Sequence, residues 1–69
     1  MRIDKINPVK YELAQRGLTQ REAARRMGVS ESELSRLIGG SRRWRLVNAR
    51  ALAFATGIKL EVILGDGKN

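Results

Sequence analysis

The stretch Thr19-Gln20-Arg21-Glu22-Ala23-Ala24-Arg25-Arg26-Met27-Gly28-Val29-Ser30-Glu31-Ser32-Glu33 decides how this chain folds. It carries one start signal twice: Thr19 with Glu22, then Ser30 with Glu33. In such a capping box a hydroxyl accepts from a first-turn amide, and the glutamate three positions on reaches back to the cap's own N–H. Gly28 lies between the two boxes, where it can close the first helix in a left-handed conformation. Two helices joined by a short turn are the expectation.

The same punctuation extends outward. Asn7-Pro8 reads as an N-cap followed by proline at the first helical position. Val9 and Leu13 then share one face, and Gly17 is placed to end that helix. Beyond the second box, a helix runs to Gly39-Gly40, and Ser41-Arg42-Arg43-Trp44-Arg45 forms a basic connector. A fourth helix over 46–56 puts Leu46, Ala49, Leu52 and Ala53 on one face and stops at Gly57. In the tail, Ile58, Leu60, Val62 and Leu64 alternate with Lys59 and Glu61, a period of two that argues for a strand. Ile63 breaks the alternation, so a short fifth helix is the alternative. The expected fold is therefore mainly α: four helices over residues 1–57, with a short C-terminal strand in a tail over 58–69.

Composition narrows the function classes. A 69-residue chain buries only about 60% of its unfolded surface, so its core is marginal without support. The sequence has neither Cys nor His, which removes disulfides and a structural zinc. Self-association is left as the expected support. Fourteen Lys and Arg against seven Asp and Glu give a net charge of +7, which suits a polyanionic partner. Ten of the fourteen are arginines, the better bidentate partner for phosphate and guanine. No stretch approaches the ~18 apolar residues of a membrane span, so a soluble, cytoplasmic protein without a membrane partner is expected. There is no His or Cys to act as base or nucleophile, no phosphate-cradling glycine loop and no paired carboxylates in a cleft. An enzyme is not expected, nor a cofactor.

The third helix carries the most informative face. Leu34, Leu37 and Ile38 lie on one side and must meet the core, while Glu31, Ser32, Ser35 and Arg36 gather opposite. That outer face is short, polar and free of large apolar groups. It fits a groove about 12 Å wide, although the solvated face of any amphipathic helix would look similar.

Residues Gly17 to Ser30 resemble the helix-turn-helix of the lambda-repressor and Cro-like (XRE) family. Leu18, Ala24, Met27 and Val29 match its buried positions around the turn, Gly28 its turn glycine, and Leu34 the anchor of its recognition helix. The resemblance covers residues 9 to about 57. Two positions depart from the pattern: Trp44 stands where many relatives have proline, and Ala23 where leucine is commoner.

The resemblance implies a DNA-binding domain over residues 1–57, with helix 30–38 in the major groove and helix two across the backbone. Arg36 is then the candidate for bidentate contact with guanine, Ser32 and Ser35 for weaker base contacts, and Glu31 for cytosine N4. Glu31 also suits the helix's first turn for dipole reasons alone. The phosphate candidates are Thr19, Gln20, Arg21, Arg25 and Ser30 around the two helix N-termini, with Arg42, Arg43 and Arg45 from the connector. Arg26 is expected to pair with Glu22 at i, i+4. Trp44, a lone aromatic before an apolar helix, is expected to pack in the core rather than stack on a base.

The implied function is sequence-specific binding of double-stranded DNA at a palindromic operator, by a homodimeric transcriptional repressor. An autoregulatory antitoxin with a toxin partner belongs to the same class, and the alternating tail resembles the C-terminal strand of some such antitoxins. Antiparallel pairing of that strand, through Ile58, Leu60, Val62 and Leu64, is the expected dimer interface. It would set two recognition helices about 34 Å apart. The alternative from another class is a protein-interaction module whose basic face binds an acidic partner. RNA binding is disfavoured, because the exposed aromatics that stack unpaired bases are missing.

Overall fold

The computed structural model describes residues 7–65. Within them the order is α1 (Pro8–Gln15), α2 (Gln20–Met27), α3 (Glu31–Gly39), α4 (Leu46–Thr56) and α5 (Leu60–Gly65). The helices start and stop where local chemistry tells them to. Thr19 Oγ1 accepts from the Glu22 amide at 3.0 Å, and Ser30 Oγ accepts from the Glu33 amide at 3.1 Å. The return half of each expected box is replaced: Glu22 turns to Arg25 and Arg26, and Glu33 to Arg42. Gly28 closes α2 at φ 78°. Ser30, two residues later, is already the cap of α3, so the turn between the helices has almost no slack.

α2 packs chiefly on α4 and α3, α4 on α5, and α1 on α5. The common core holds Val9 and Leu13 of α1, Ala23 and Ala24 of α2, and Leu34 and Ile38 of α3. Ala49 and Leu52 of α4 complete it with Ile58 and Ile63 of the tail, while Leu18, Met27, Val29 and Trp44 pack around the edge. Trp44 is thus a packing residue, as expected. Its indole Nε1 is buried and finds no acceptor among the described residues. An unpaired buried donor of this kind costs roughly 1–3 kcal/mol, which ring burial has to offset.

Two expectations need correction. Residues 58–64 do not form a strand; no strand occurs among the described residues. An isolated strand would leave its backbone groups unpaired, whereas the helix begins to satisfy them locally, with the Val62 and Ile63 amides donating to the Lys59 carbonyl. Ile63, the residue that broke the alternation, is the tail's fully buried anchor, and Ile58 is buried with it. Leu60 and Val62 are half-buried and Leu64 is 39% exposed. An edge built from Ile58, Leu60, Val62 and Leu64 therefore does not exist in this fold. Leu46 is the second correction. It is 53% exposed, because at the first position of α4 it precedes the turn whose Ala49 and Leu52 reach the core.

Three long-range polar links tie the helices together. Asn7 Oδ1 accepts from the Val9 and Lys10 amides, and its Nδ2 donates to the Ile38 carbonyl at 2.8 Å. One side chain thus caps the start of α1 and the end of α3. Arg16 Nε donates to the Thr56 carbonyl, Arg16 Nη2 to the Gly57 carbonyl and Arg26 Nη1 to the Ala55 carbonyl. These cations sit at the C-terminus of α4, where the helix dipole favours positive charge.

The double role of Asn7 makes a separable prediction. Asn7→Ala loses the cap, typically ~1 kcal/mol, and the α3 link, about another 1 kcal/mol. Asn7→Asp keeps the acceptor and loses only the donor to Ile38. Urea denaturation should order the proteins as wild type, then Asn7→Asp, then Asn7→Ala. Equal losses for the two variants would show that only the link to Ile38 matters, and an unchanged Asn7→Asp that only the cap does.

Candidate nucleic-acid interface

The geometry of α3 follows from its pattern of burial. Leu34, Leu37 and Ile38 are buried, which forces Glu31, Ser32, Ser35 and Arg36 to the surface, and all four are exposed. No large apolar side chain interrupts this face between Glu31 and Arg36. Arg36 lies in the last turn of α3 and has no carboxylate within 4.0 Å among the described residues. Its guanidinium is free to engage an outside acceptor.

The N-termini of α2 and α3 are brought side by side. Arg21 Nε stands 4.0 Å from Glu31 Oε1, with both side chains more than half exposed. So exposed a pair adds little stability, but it places a cation beside the one carboxylate on the outer α3 face. Glu31 can therefore approach a polyanion with its charge partly offset. Gln20 is half-buried, while Thr19, Arg25 and Ser30 are exposed. Arg26 pairs with Glu22 as expected, at 3.4 Å. Arg25 shares that carboxylate at the same distance, a link the i, i+3 spacing could have revealed. Its side chain remains 74% exposed, so the pairing does not remove it from the surface.

The connector sorts its three arginines. The Arg42 amide donates to the Arg36 carbonyl at 3.1 Å, and Arg42 Nη1 lies 3.5 Å from Glu33 Oε2. Arg42 is thereby folded back on α3. Arg43 and Arg45 are exposed and have no acidic partner within 4.0 Å among the described residues. Both line a shallow depression with Glu33, Arg42, Val47 and Asn48, at the start of α4. The N-cap there is Arg45 itself, and it supplies no side-chain acceptor. The first-turn amides of α4 thus lack the side-chain partner that Asn7, Thr19 and Ser30 give α1, α2 and α3. Unmatched amides among arginines suit an anion such as a phosphate.

The candidate base readers and the free connector arginines are joined through the short link from Arg36 to Arg42. The phosphate candidates of α2 stand at the other end of α3, beside Glu31. Sequence reasoning missed the Arg21–Glu31 and Arg42–Glu33 pairs, since neither has a helical spacing to announce it. It also missed the bonds of Arg16 to the Thr56 and Gly57 carbonyls and of Arg26 to the Ala55 carbonyl, so the net charge overstates what is available to a partner. No helix among the described residues is long and apolar enough to cross a membrane.

No curated protein and no solved structure matches the chain. A family model described as helix-turn-helix matches residues 9–63, which takes in the N-terminal helix, both capped helices around Gly28, the connector, α4 and most of α5. That match, on a fold with α2 and α3 joined by a tight glycine turn, shows that the chain belongs to the lambda-repressor/Cro-like (XRE-type) helix-turn-helix family.

Proposed function

We propose that this protein binds double-stranded DNA sequence-specifically as a homodimer, seats α3 in the major groove, and represses transcription from a palindromic operator. The family is one of DNA-binding transcription regulators, and the finer reading is carried by one observation. The outer face of α3 offers Glu31, Ser32, Ser35 and an Arg36 without an acidic partner among the described residues, with Arg43 and Arg45 likewise just beyond. Base contacts are assigned to the first four residues. Backbone contacts are assigned to Thr19, Gln20, Arg21, Arg25 and Ser30, and to Arg42, Arg43 and Arg45 of the connector. Arg42 ranks lowest of these, since Glu33 already holds it.

Dimerisation is proposed through α5 in place of the expected strand. Leu60 and Val62 keep part of their surface free and Leu64 is exposed, while Ile58 serves the core. The two recognition helices would meet adjacent major grooves about 34 Å apart. The antitoxin reading, with a toxin partner, loses its one sequence support now that the tail folds as a helix.

Arg36 and Arg43 should fail differently when replaced. Arg36→Ala should lose roughly 1–3 kcal/mol on the preferred site and little on random DNA. Arg43→Ala should weaken both alike. Titration of operator and scrambled duplexes distinguishes the two patterns, and the reverse result would exchange base reader and backbone clamp.

Salt tests both charge and stoichiometry. If each protomer neutralises about three phosphates, a dimer has Z near 6 and a log–log slope of about −5. A monomer would give about half that slope, and a slope near zero would contradict the electrostatic account altogether.

A further inference from the structure

The outer face of α4 is employed neither by the core nor by the proposed DNA contacts. At about 100° per residue, Val47, Arg50, Ala51 and Phe54 fall on one side of this helix, opposite Ala49, Leu52 and Thr56. Ala49 and Leu52 are fully buried, whereas Val47 is 68% and Phe54 95% exposed. The two exposed apolar groups lie about 10 Å apart along the axis, close enough for one partner element to cover both. A phenyl ring held almost wholly in water adds nothing to the packing of this protomer.

Charge selects the occupant. Arg50 lies between Val47 and Phe54 and is the only charged residue of α4. The stripe has basic ends as well. Val47 borders the depression lined by Arg43 and Arg45, and Arg26 Nη1 donates to the carbonyl of Ala55, next to Phe54. A second copy laid on this stripe about a two-fold axis would set Arg50 against Arg50, in a chain of net charge +7, with no carboxylate on α4 to offset the repulsion. An acidic partner meets no such cost.

We infer that the outer face of α4 is a docking surface for an acidic protein. Its partner presents an amphipathic helix, whose apolar ridge covers Val47 and Phe54 and whose flanking carboxylates meet Arg50 and the exposed Arg43 and Arg45 beyond Val47. Arg43 and Arg45 at its basic end are shared with the proposed DNA backbone contacts, but Val47, Arg50 and Phe54 are not, so the inference stands whether or not α3 reads DNA.

The test uses the full chain and a labelled 18-residue peptide, with leucines at helical spacing flanked by glutamates. A scrambled peptide of the same composition is the control. The patterned peptide should bind at least tenfold more tightly than the scrambled one, and Phe54→Ser and Arg50→Glu should each remove most of that difference. Both residues are exposed, so both variants should keep the far-UV circular dichroism of the wild type, and Phe54→Ser should keep its affinity for duplex DNA. Equal affinity for the two peptides, or indifference to Phe54→Ser, would overturn the proposal. So would a change in the sedimentation mass of the isolated chain on Phe54→Ser, which would give the face to a second copy.

Discussion

Burial of the inner side of α3 is the constraint on which the rest of this molecule depends. A nine-residue helix is too short to be stable alone in water, so α3 exists because Leu34, Leu37 and Ile38 are removed from solvent. Full burial of side chains of this size is worth about 1.5–3 kcal/mol each. The core that Leu34 and Ile38 share with α2 and α4 is partly small-residued. Ala23 and Ala24 of α2 and Ala49 of α4 are all buried, and alanine lets helix axes approach where leucine would hold them apart. The replacement of the commoner leucine by Ala23 is then part of the packing between α2 and α4 rather than a defect in the family pattern. Once the inner side is committed, the orientation of Glu31, Ser32, Ser35 and Arg36 follows with no further choice.

The turn before α3 makes that orientation rigid. Gly28 adopts a left-handed φ of 78°, and a Cβ at this position would meet nothing within 4 Å. The requirement for glycine is therefore one of backbone conformation and not of space. Asn7 secures the other end of α3 through the Ile38 carbonyl. A helix pinned at both ends would lose little conformational entropy on binding, which is what the proposed base-reading role of α3 requires.

Much of this was legible in the sequence because it rests on short-range rules. Asn7, Thr19 and Ser30 announce helix starts, Gly17, Gly28, Gly40 and Gly57 announce ends, and the 3.6-residue period places Leu34, Leu37 and Ile38 inside. The tail was misread for a physical reason. Apolar alternation over residues 58–64 describes a strand only if a neighbour completes its hydrogen bonds, and none of the described elements does so. Ile63 was the signal, since a residue that violates period two while remaining fully apolar fits a helix anchored on Ile58 and Ile63. The ion pairs around the candidate site were less visible. Arg21–Glu31 and Arg42–Glu33 join residues whose proximity is created by the turn and by the connector's path, and nothing in the local sequence encodes it. Which arginines remain free of acidic partners among the described residues is thus a tertiary property: Arg36, Arg43 and Arg45 are left by the fold, while Arg16 and Arg26 are taken by it.

The central claim is that α3 reads base edges in the major groove, with Arg36 on a guanine. Methylation interference on a selected operator tests it most directly, because guanine N7 lies in the major groove and adenine N3 in the minor. In the wild type, methylation at N7 of one guanine in each half-site should block binding. In Arg36→Ala that guanine should become indifferent to methylation while interference elsewhere persists. Interference confined to adenine N3, or an unchanged guanine pattern in Arg36→Ala, would contradict the account.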